Sequence, residues 1–315
     1  MQYRPLGNTG LTVPQLSFGA SSLGGVFRDI DERSGVRAAH MAVDGGMNLI
    51  DVSPYYGITR AETVLGRALK EIDRSRYTLS TKAGRYGPDF SDFDFSADRI
   101  TRSIDESLSR LNVDHVDILL AHDIEFGSLD QIVSETLPAM QRLKQQGKTR
   151  FIGVSALPLV MFTRIVDRLP PGTLDVILSY CHYELNDTSL LDILPRMEAA
   201  GVGVMNASPT GMGLLTRGDP PDWHPAPDAL KAACREAAAH CEARGANLTK
   251  LAIQFAISNP NVPTTLVSTA DPAKVQQNLR WVHEPIDEAM LHEVRQILSP
   301  VHNLTWTSGR SENNQ

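Results

Sequence analysis

The chain has 315 residues, 42% of them hydrophobic and 21% charged, and a net charge of −7. That composition is ordinary for a globular chain, and its sign, with no Lys/Arg-rich run to offset it, disfavours nucleic acid and anionic membrane surfaces as partners. No apolar run approaches the ~20 residues of a membrane span, the first seven residues lack the apolar core of a signal peptide, and three cysteines, Cys181, Cys234 and Cys241, suit a reducing compartment. The expectation is a cytoplasmic protein, in which the glycosylation-like triplets at Asn186, Asn247 and Asn303 are chance matches.

The first elements read as a hairpin: residues 2–5, a turn at Gly7-Asn8-Thr9-Gly10, then 11–14. From there strand-like and helix-like segments alternate. Strand patterns occur at 16–18, 48–51, 77–82, 116–122, 150–154, 176–179, 202–206 and 264–267. Helical spacing occurs at 35–44, 61–70, 97–111, 129–146, 159–169, 190–200, 230–244, 249–258 and 272–282. Ser96-Ala97-Asp98 and Asp187-Thr188-Ser189 suit helix starts, and Gly147 and Gly201 suit helix ends that need a left-handed residue. Eight β/α units predict a parallel sheet closed into a (β/α)8 TIM barrel, with the N-terminal hairpin capping its bottom. No linker divides the chain, so residues 1–315 read as one domain. The Pro-rich stretch 218–227 reads as a long rim loop. The tail from 301, with Asn303-Leu304-Thr305-Trp306, can cross the same rim, and 309–315 reads as disordered.

Asp51, Tyr56, Lys82 and His122 lie at or just past the ends of strands two, three and four. In a parallel barrel those ends converge on the rim where active sites form. Singly, each has a bland reading: a cap, rim packing, a solvated amine, a structural histidine. Together they form a proton-transfer device. A phenol with a pKa of about 10 is a poor base at neutral pH, a nearby ammonium lowers it, and Lys82 can supply that charge while Asp51 keeps it protonated. His122 offers a second contact to a substrate oxygen. The set can exchange a proton with an alcohol or a carbonyl while hydride moves.

Hydride transfer requires a cofactor. No G-x-G-x-x-G opens a helix, and the Gly-rich stretch 19–25 lacks the Lys of a P-loop. A nicotinamide dinucleotide must then be held by the barrel's own loops. The small-residue segment 207–215 can bring backbone N–H groups to a pyrophosphate, and Ser268-Thr269-Ala270-Asp271-Pro272 opens a helix whose N-terminus favours phosphate. No pair among His182, His224, His240 and Cys241 has zinc spacing, so no metal is expected. Ser155 and Ser208 lack the hydrolase elbow, and His283-Glu284 lacks the metalloprotease pattern.

The chain resembles the aldo-keto reductases. The resemblance rests on Arg4-Pro5-Leu6-Gly7-Asn8-Thr9-Gly10-Leu11, on Asp51-Val52-Ser53-Pro54-Tyr55-Tyr56-Gly57, on Ser80-Thr81-Lys82, His122 and Ser208-Pro209, and on the Asp271-Pro272-Ala273-Lys274 helix start. It covers nearly the whole chain. Within the family it is most similar to the plant-type L-galactose dehydrogenases, through stretches such as 95–100, 122–130, 147–153, 177–183 and 303–306. The resemblance implies NAD-linked oxidation of an L-sugar, L-galactose or a relative such as L-fucose, at C1 to the lactone. Tyr56 would be the general acid/base, Lys82 its tuner, Asp51 the support of Lys82, and His122 the residue that orients substrate. Ala20, Ser21, Asp51, Ser155, Tyr180, Ser208, Pro209, Thr210, Gly211, Met212, Gly213, Leu215, Ser268, Thr269, Lys274, Gln277 and Asn278 fall at cofactor-contact positions. Ser21, Tyr56, His122 and Trp306 are the substrate-side candidates.

Two departures matter. Val52 stands where many members have Thr. At the strand-eight loop, where NADP users offer two cations to the 2′-phosphate, Ser268 replaces one and only Lys274 remains. That favours NAD and leaves NADP open. The competing readings are an NADPH-linked reductase of aldehydes or ketones and, from another class, a nucleotide-binding regulatory subunit of ion-channel β-subunit type. Oligomeric state is not legible.

Overall fold

The structure, a computed structural model, describes residues 1–26 and 29–315. Strands β1 (Tyr3–Pro5) and β2 (Thr12–Pro14) pair antiparallel. Eight further strands follow: β3 (Leu16–Gly19), β4 (Leu49–Asp51), β5 (Thr78–Ala83), β6 (Val116–Ala121), β7 (Thr149–Ala156), β8 (Val176–Tyr180), β9 (Gly203–Ala207) and β10 (Thr264–Ser268). They pair in parallel and close as β10-β3-β4-β5-β6-β7-β8-β9. Helices on the outside connect them, as right-handed crossovers require. The expected eight-stranded barrel with its hairpin is what forms.

Strand alternation divides the core in two. One set of side chains, including Phe18, Ile50, Leu79, Leu119, Val154, Ile177, Val204 and Val267, packs outward with the helices. The other points inward: Leu49, Ile118, Leu120, Val176, Leu178, Met205 and Leu266, joined by Leu6 and Val13 of the hairpin. Leu6 lies against Gly203 at the start of β9, so the hairpin plugs the N-terminal mouth. Residues at the other end of the strands keep the same inward parity. Asp51, Lys82, His122, Ser155, Tyr180, Ala207 and Ser268 therefore face one another above the apolar plug.

Local chemistry sets the helix ends. Helix Ala97–Leu111 starts where Ser96 accepts the N–H of Arg99 and ends at Asn112 in the left-handed region. Gly147 and Gly201 adopt positive φ, as expected of residues that close helices.

Three expectations are corrected. The helix read over 129–146 is broken: Leu129–Gln131 passes through a π turn at Ile132–Thr136 before Leu137–Gln145 begins. Pro138 has no N–H to continue the ladder, so the register shifts where it enters. A helix at Glu288–Leu298, absent from the sequence reading, buries Met290, Val294 and Leu298 on one stripe. The segment 309–315, read as disordered, is packed instead. Arg310 N and Asn313 Nδ2 both donate to Glu125 O, Asn313 Nδ2 also reaches Gly127 O, and Arg164 holds the carbonyls of Glu312 and Gln315. It is ordered by polar backbone contacts, which leave no hydrophobic period to read. Among the described residues no helix is long and apolar enough to cross a membrane.

Candidate active site

Asp51 ends β4, Lys82 lies near the end of β5 and His122 follows β6. Tyr56 sits in the turn after β4. That turn is pinned by a close backbone approach: Gly57 has φ +62°, and a Cβ there would meet Gly24 O at 2.0 Å. Tyr56 is therefore set against the turn Ser21–Gly24.

Lys82 is 1% exposed and all three of its donors are used. Nζ pairs with Asp51 Oδ2, donates to Val52 O at 3.0 Å, and donates to Tyr56 Oη at 3.3 Å. The other Asp51 oxygen accepts Ser80 Oγ at 2.8 Å. Burial disfavours the Lys82 charge, but Asp51 and Tyr56 outweigh it, and the amine's pKa stands above its ordinary value. Lys82 is a fixed cation.

Tyr56 departs from the sequence argument. Burial raises its phenol pKa above 10; the Lys82 charge opposes this, while Asp51 and Asp123 add to it. Lys82 thus limits a rise instead of producing a net fall. His122 is 4% exposed, and its ring stands edge-on to Tyr56, with centroids 5.8 Å apart and planes at 87°. Burial and the cations Lys82 and Arg85 hold its pKa well below the usual histidine value, so the ring is neutral.

Several residues around the four were not singled out from sequence. Ser53 Oγ lies 2.9 Å from His122 Nδ1. Arg85 stacks on Tyr55, its Cζ 3.7 Å from the ring centroid, and donates to Asp123 Oδ2 at 2.6 Å. Burial pushes the Asp123 carboxyl up despite Arg85. Glu125, fully buried in the turn Ile124–Phe126, is pushed to about 8 by burial and then by Asp123. Glu184, also buried, is raised well above its ordinary value and lies beneath Gly211. The available signal was proximity: Ser53 sits between Asp51 and Tyr56, and Arg85 follows Lys82 by one strand-end turn.

Most of the proposed cofactor positions fall on the opposite arc of the rim, from β7 round to β10, while Asp51 belongs to the four and Ala20 and Ser21 follow β3 beside it. Ser155 Oγ accepts Asp123 N at 3.1 Å. Tyr180 faces inward as a neutral phenol, its pKa raised by burial and by Asp123 and Glu125. The inward residues from Tyr180 round to Gly19, Ala207 and Ser268, are small, as is Ser155. Ser208, Gly211, Met212 and Gly213 all have positive φ, and the loop folds on itself, with Gly211 N donating to Ser208 O at 2.9 Å and Gly213 N to Thr210 O at 3.1 Å. Thr210 closes that loop by accepting Leu215 N at 3.0 Å, and Pro209 lies within it. Ser268 Oγ accepts Ser22 N at 2.8 Å and bonds Ser22 Oγ at 2.9 Å, tying β10 to the turn that carries Ala20 and Ser21. Thr269 Oγ1 accepts Asp271 N. The helix Pro272–Trp281 is capped by Asp271, whose carboxylate accepts Ala273 N at 2.9 Å. Lys274 is exposed, Gln277 half-buried and Asn278 buried.

The structure thus gathers Asp51, Tyr56, Lys82 and His122 into one contact set. It places Trp306 elsewhere: the indole packs edge-on to His224 at 5.2 Å, and His224 in turn reaches Gly211 O at 2.9 Å. The C-terminal tail therefore meets the Pro-rich loop where His224 reaches Gly211.

The Aldo/keto reductase family profile matches residues 15–299, a span that includes the barrel and all four of Asp51, Tyr56, Lys82 and His122. The chain belongs to the aldo/keto reductase family. Its members are oxidoreductases that use nicotinamide dinucleotides, and the small inward residues on the far arc fit such a group. The chain is 53% identical over 319 residues to L-galactose dehydrogenase of Arabidopsis thaliana, covering 99% of both proteins. It is 28% identical to D-threo-aldose 1-dehydrogenase of a Pseudomonas species, covering 92% of this chain and 97% of that one. A solved aldo-keto reductase from Bacillus halodurans superposes with a TM-score of 0.77 over 100% of both chains at 24% identity, a likeness of fold.

Proposed function

We propose that this protein oxidises an L-sugar, L-galactose or a close relative such as L-fucose, at C1 to the aldonolactone, with NAD as acceptor. The observation that carries the chemistry is the buried chain Asp51–Lys82–Tyr56, in which a fully satisfied cation points its last donor at the Tyr56 phenol. The sugar is supported by the 53% identity to L-galactose dehydrogenase across 99% of both chains. NAD, when bound, would supply the acceptor for the C1 hydride. Tyr56 Oη, as the phenolate, takes the C1 hydroxyl proton; Lys82 steadies the negative charge which that oxygen carries before it is protonated; Asp51 holds Lys82 in place. His122 contacts the same substrate oxygen. Ser21, in the turn against which Tyr56 is set, is assigned to the substrate side of the mouth.

Preference for NAD follows from what surrounds Lys274. Ser268 is engaged with Ser22, and the carboxylate of Asp271 occupies the helix start. A dianionic 2′-phosphate would meet one exposed lysine beside that carboxylate, a poor match for its charge. The test mixes the protein with NAD or NADP and a panel of aldoses and follows absorbance of the reduced cofactor. L-galactose or L-fucose should turn over with NAD. Turnover no faster than with D-glucose overturns the substrate, and equal or faster turnover with NADP overturns the cofactor in favour of the NADPH-linked reductase reading.

A further inference from the structure

A fifth side chain reaches the reacting group. Ser53 is fully buried, and its Oγ makes two contacts: it accepts the amide N–H of Tyr55 at 3.1 Å, and it lies 2.9 Å from His122 Nδ1. A hydroxyl has one proton and two acceptor lone pairs. The Tyr55 amide uses a lone pair, which leaves the proton to donate. If Nδ1 carried the ring proton, it too would donate into Ser53 Oγ, and the buried hydroxyl proton would have no acceptor in this pair. Buried donors are seldom left so. We propose that Ser53 is a positioning residue that fixes His122 as the Nε2–H tautomer, so that the imidazole presents a donor to the substrate oxygen.

The far side of the ring agrees. Nε2 is 3.6 Å from Asp123 Oδ2, too long for a hydrogen bond but close enough for the carboxylate to favour a proton there and disfavour a lone pair. Arg85 already engages Asp123 at 2.6 Å, so the Nε2–H is oriented without being consumed. The charged or titratable groups facing the ring, Lys82, Arg85, Asp123, Tyr55 and Tyr56, leave it neutral, and a neutral ring acts as donor or acceptor according to tautomer alone. The turn itself is rigid: Pro54 follows Ser53, and its carbonyl accepts Thr59 N at 2.7 Å.

The inference rests on the proposed function only for its consequence; the tautomer can be read without substrate. In protein labelled with 15N-histidine, long-range proton–nitrogen correlation distinguishes protonated from unprotonated ring nitrogens, and His122→Asn identifies the signals. The expected result is a protonated Nε2 and an unprotonated Nδ1 in the unaltered protein. Ser53→Ala should shift that pattern toward a mixture and lower kcat/KM for the sugar about tenfold, the scale of one hydrogen bond lost at the transition state. NAD affinity, measured by quenching of protein fluorescence, should stay the same, and Ser53→Thr should restore both readouts. A protonated Nδ1 in the unaltered protein overturns the proposal. So does a Ser53→Ala variant whose His122 signals match the unaltered protein. If no sugar turns over at all, the sugar reading fails while the ring spectrum still decides the tautomer.

Discussion

Glu125→Gln probes the least comfortable group near the site. The Glu125 carboxyl is fully buried directly after His122 and Asp123. Its Oε1 accepts Ser308 Oγ at 2.8 Å and Leu157 N at 3.3 Å, while Oε2 has no hydrogen-bond partner. Burial, then the neighbouring Asp123, raise its pKa from 4.5 to about 8. Between those values the unfolded chain has lost this proton and the folded chain keeps it. The folded state therefore binds the extra proton, and stability falls as pH rises through the window. At about 1.4 kcal/mol per unit, the window is worth about 5 kcal/mol, spread over a broad range because Asp123 titrates beside it. Glutamine keeps the Oε1 acceptor and removes the titration, at a pH-independent cost of about 1–3 kcal/mol for its unpaired amide. Urea unfolding followed by tryptophan fluorescence should show the original protein equal or superior near pH 5 and the variant superior near pH 9. Parallel stability profiles would refute the argument, because they would mean that the carboxyl titrates alike in both states.

Other expectations concern the reacting groups and their frame. Tyr56→Phe should lower kcat by roughly two to four orders of magnitude with NAD affinity retained; near-normal turnover would assign the base elsewhere. Lys82→Met removes the charge that opposes burial at Tyr56, so the phenol pKa rises further and the pH profile of sugar oxidation moves to more alkaline values. The same variant strands Asp51 in the interior and should lose about 3–5 kcal/mol in a denaturant titration. An unmoved profile would remove Lys82 from the tuning role. Gly57→Ala forces a Cβ to 2.0 Å from Gly24 O at a left-handed position, so the Tyr56 turn must shift. Its kcat should drop at least tenfold, with a stability loss of about 1–3 kcal/mol by thermal melting; an active, equally stable variant would show that the turn is adaptable.

The barrel was readable because alternation has a local signature. Strand ends were not, because closure extends them: β8 runs to Tyr180 and β10 to Ser268 through pairing with strands distant in sequence. The Glu288–Leu298 helix has only a thin apolar stripe, Met290, Val294 and Leu298, which Glu288, His292, Glu293 and Arg295 obscure. The four rim residues were legible because each lies at or just past a strand end. Their surroundings were not. That Arg85 pairs with Asp123, or that the tail satisfies Glu125, depends on loops meeting across the rim. The direction of the Tyr56 shift is hidden for the same reason: charge can be counted along a sequence, whereas dehydration of a phenol appears only once the loops are placed.

Which of the four exchanges the proton can be argued from their environments. Lys82 has spent its donors on Asp51, Val52 O and Tyr56, and its raised pKa keeps it charged through the neutral and alkaline range. Surrendering a proton there would leave Asp51 unpaired in the interior. His122 is neutral, and the cations that keep it so, Lys82 and Arg85, do not move when pH changes, so it offers a hydrogen bond and not a titrating base. Tyr56 alone combines a half-buried position at the mouth, a single bond to Lys82, and opposing influences of comparable kind, with burial on one side and a fixed cation on the other. A phenol held in that balance is responsive: whatever adds positive charge near its oxygen tips it toward the phenolate that oxidation requires. Sugar oxidation should therefore speed up with rising pH, and the reverse reduction should be favoured where the phenol keeps its proton.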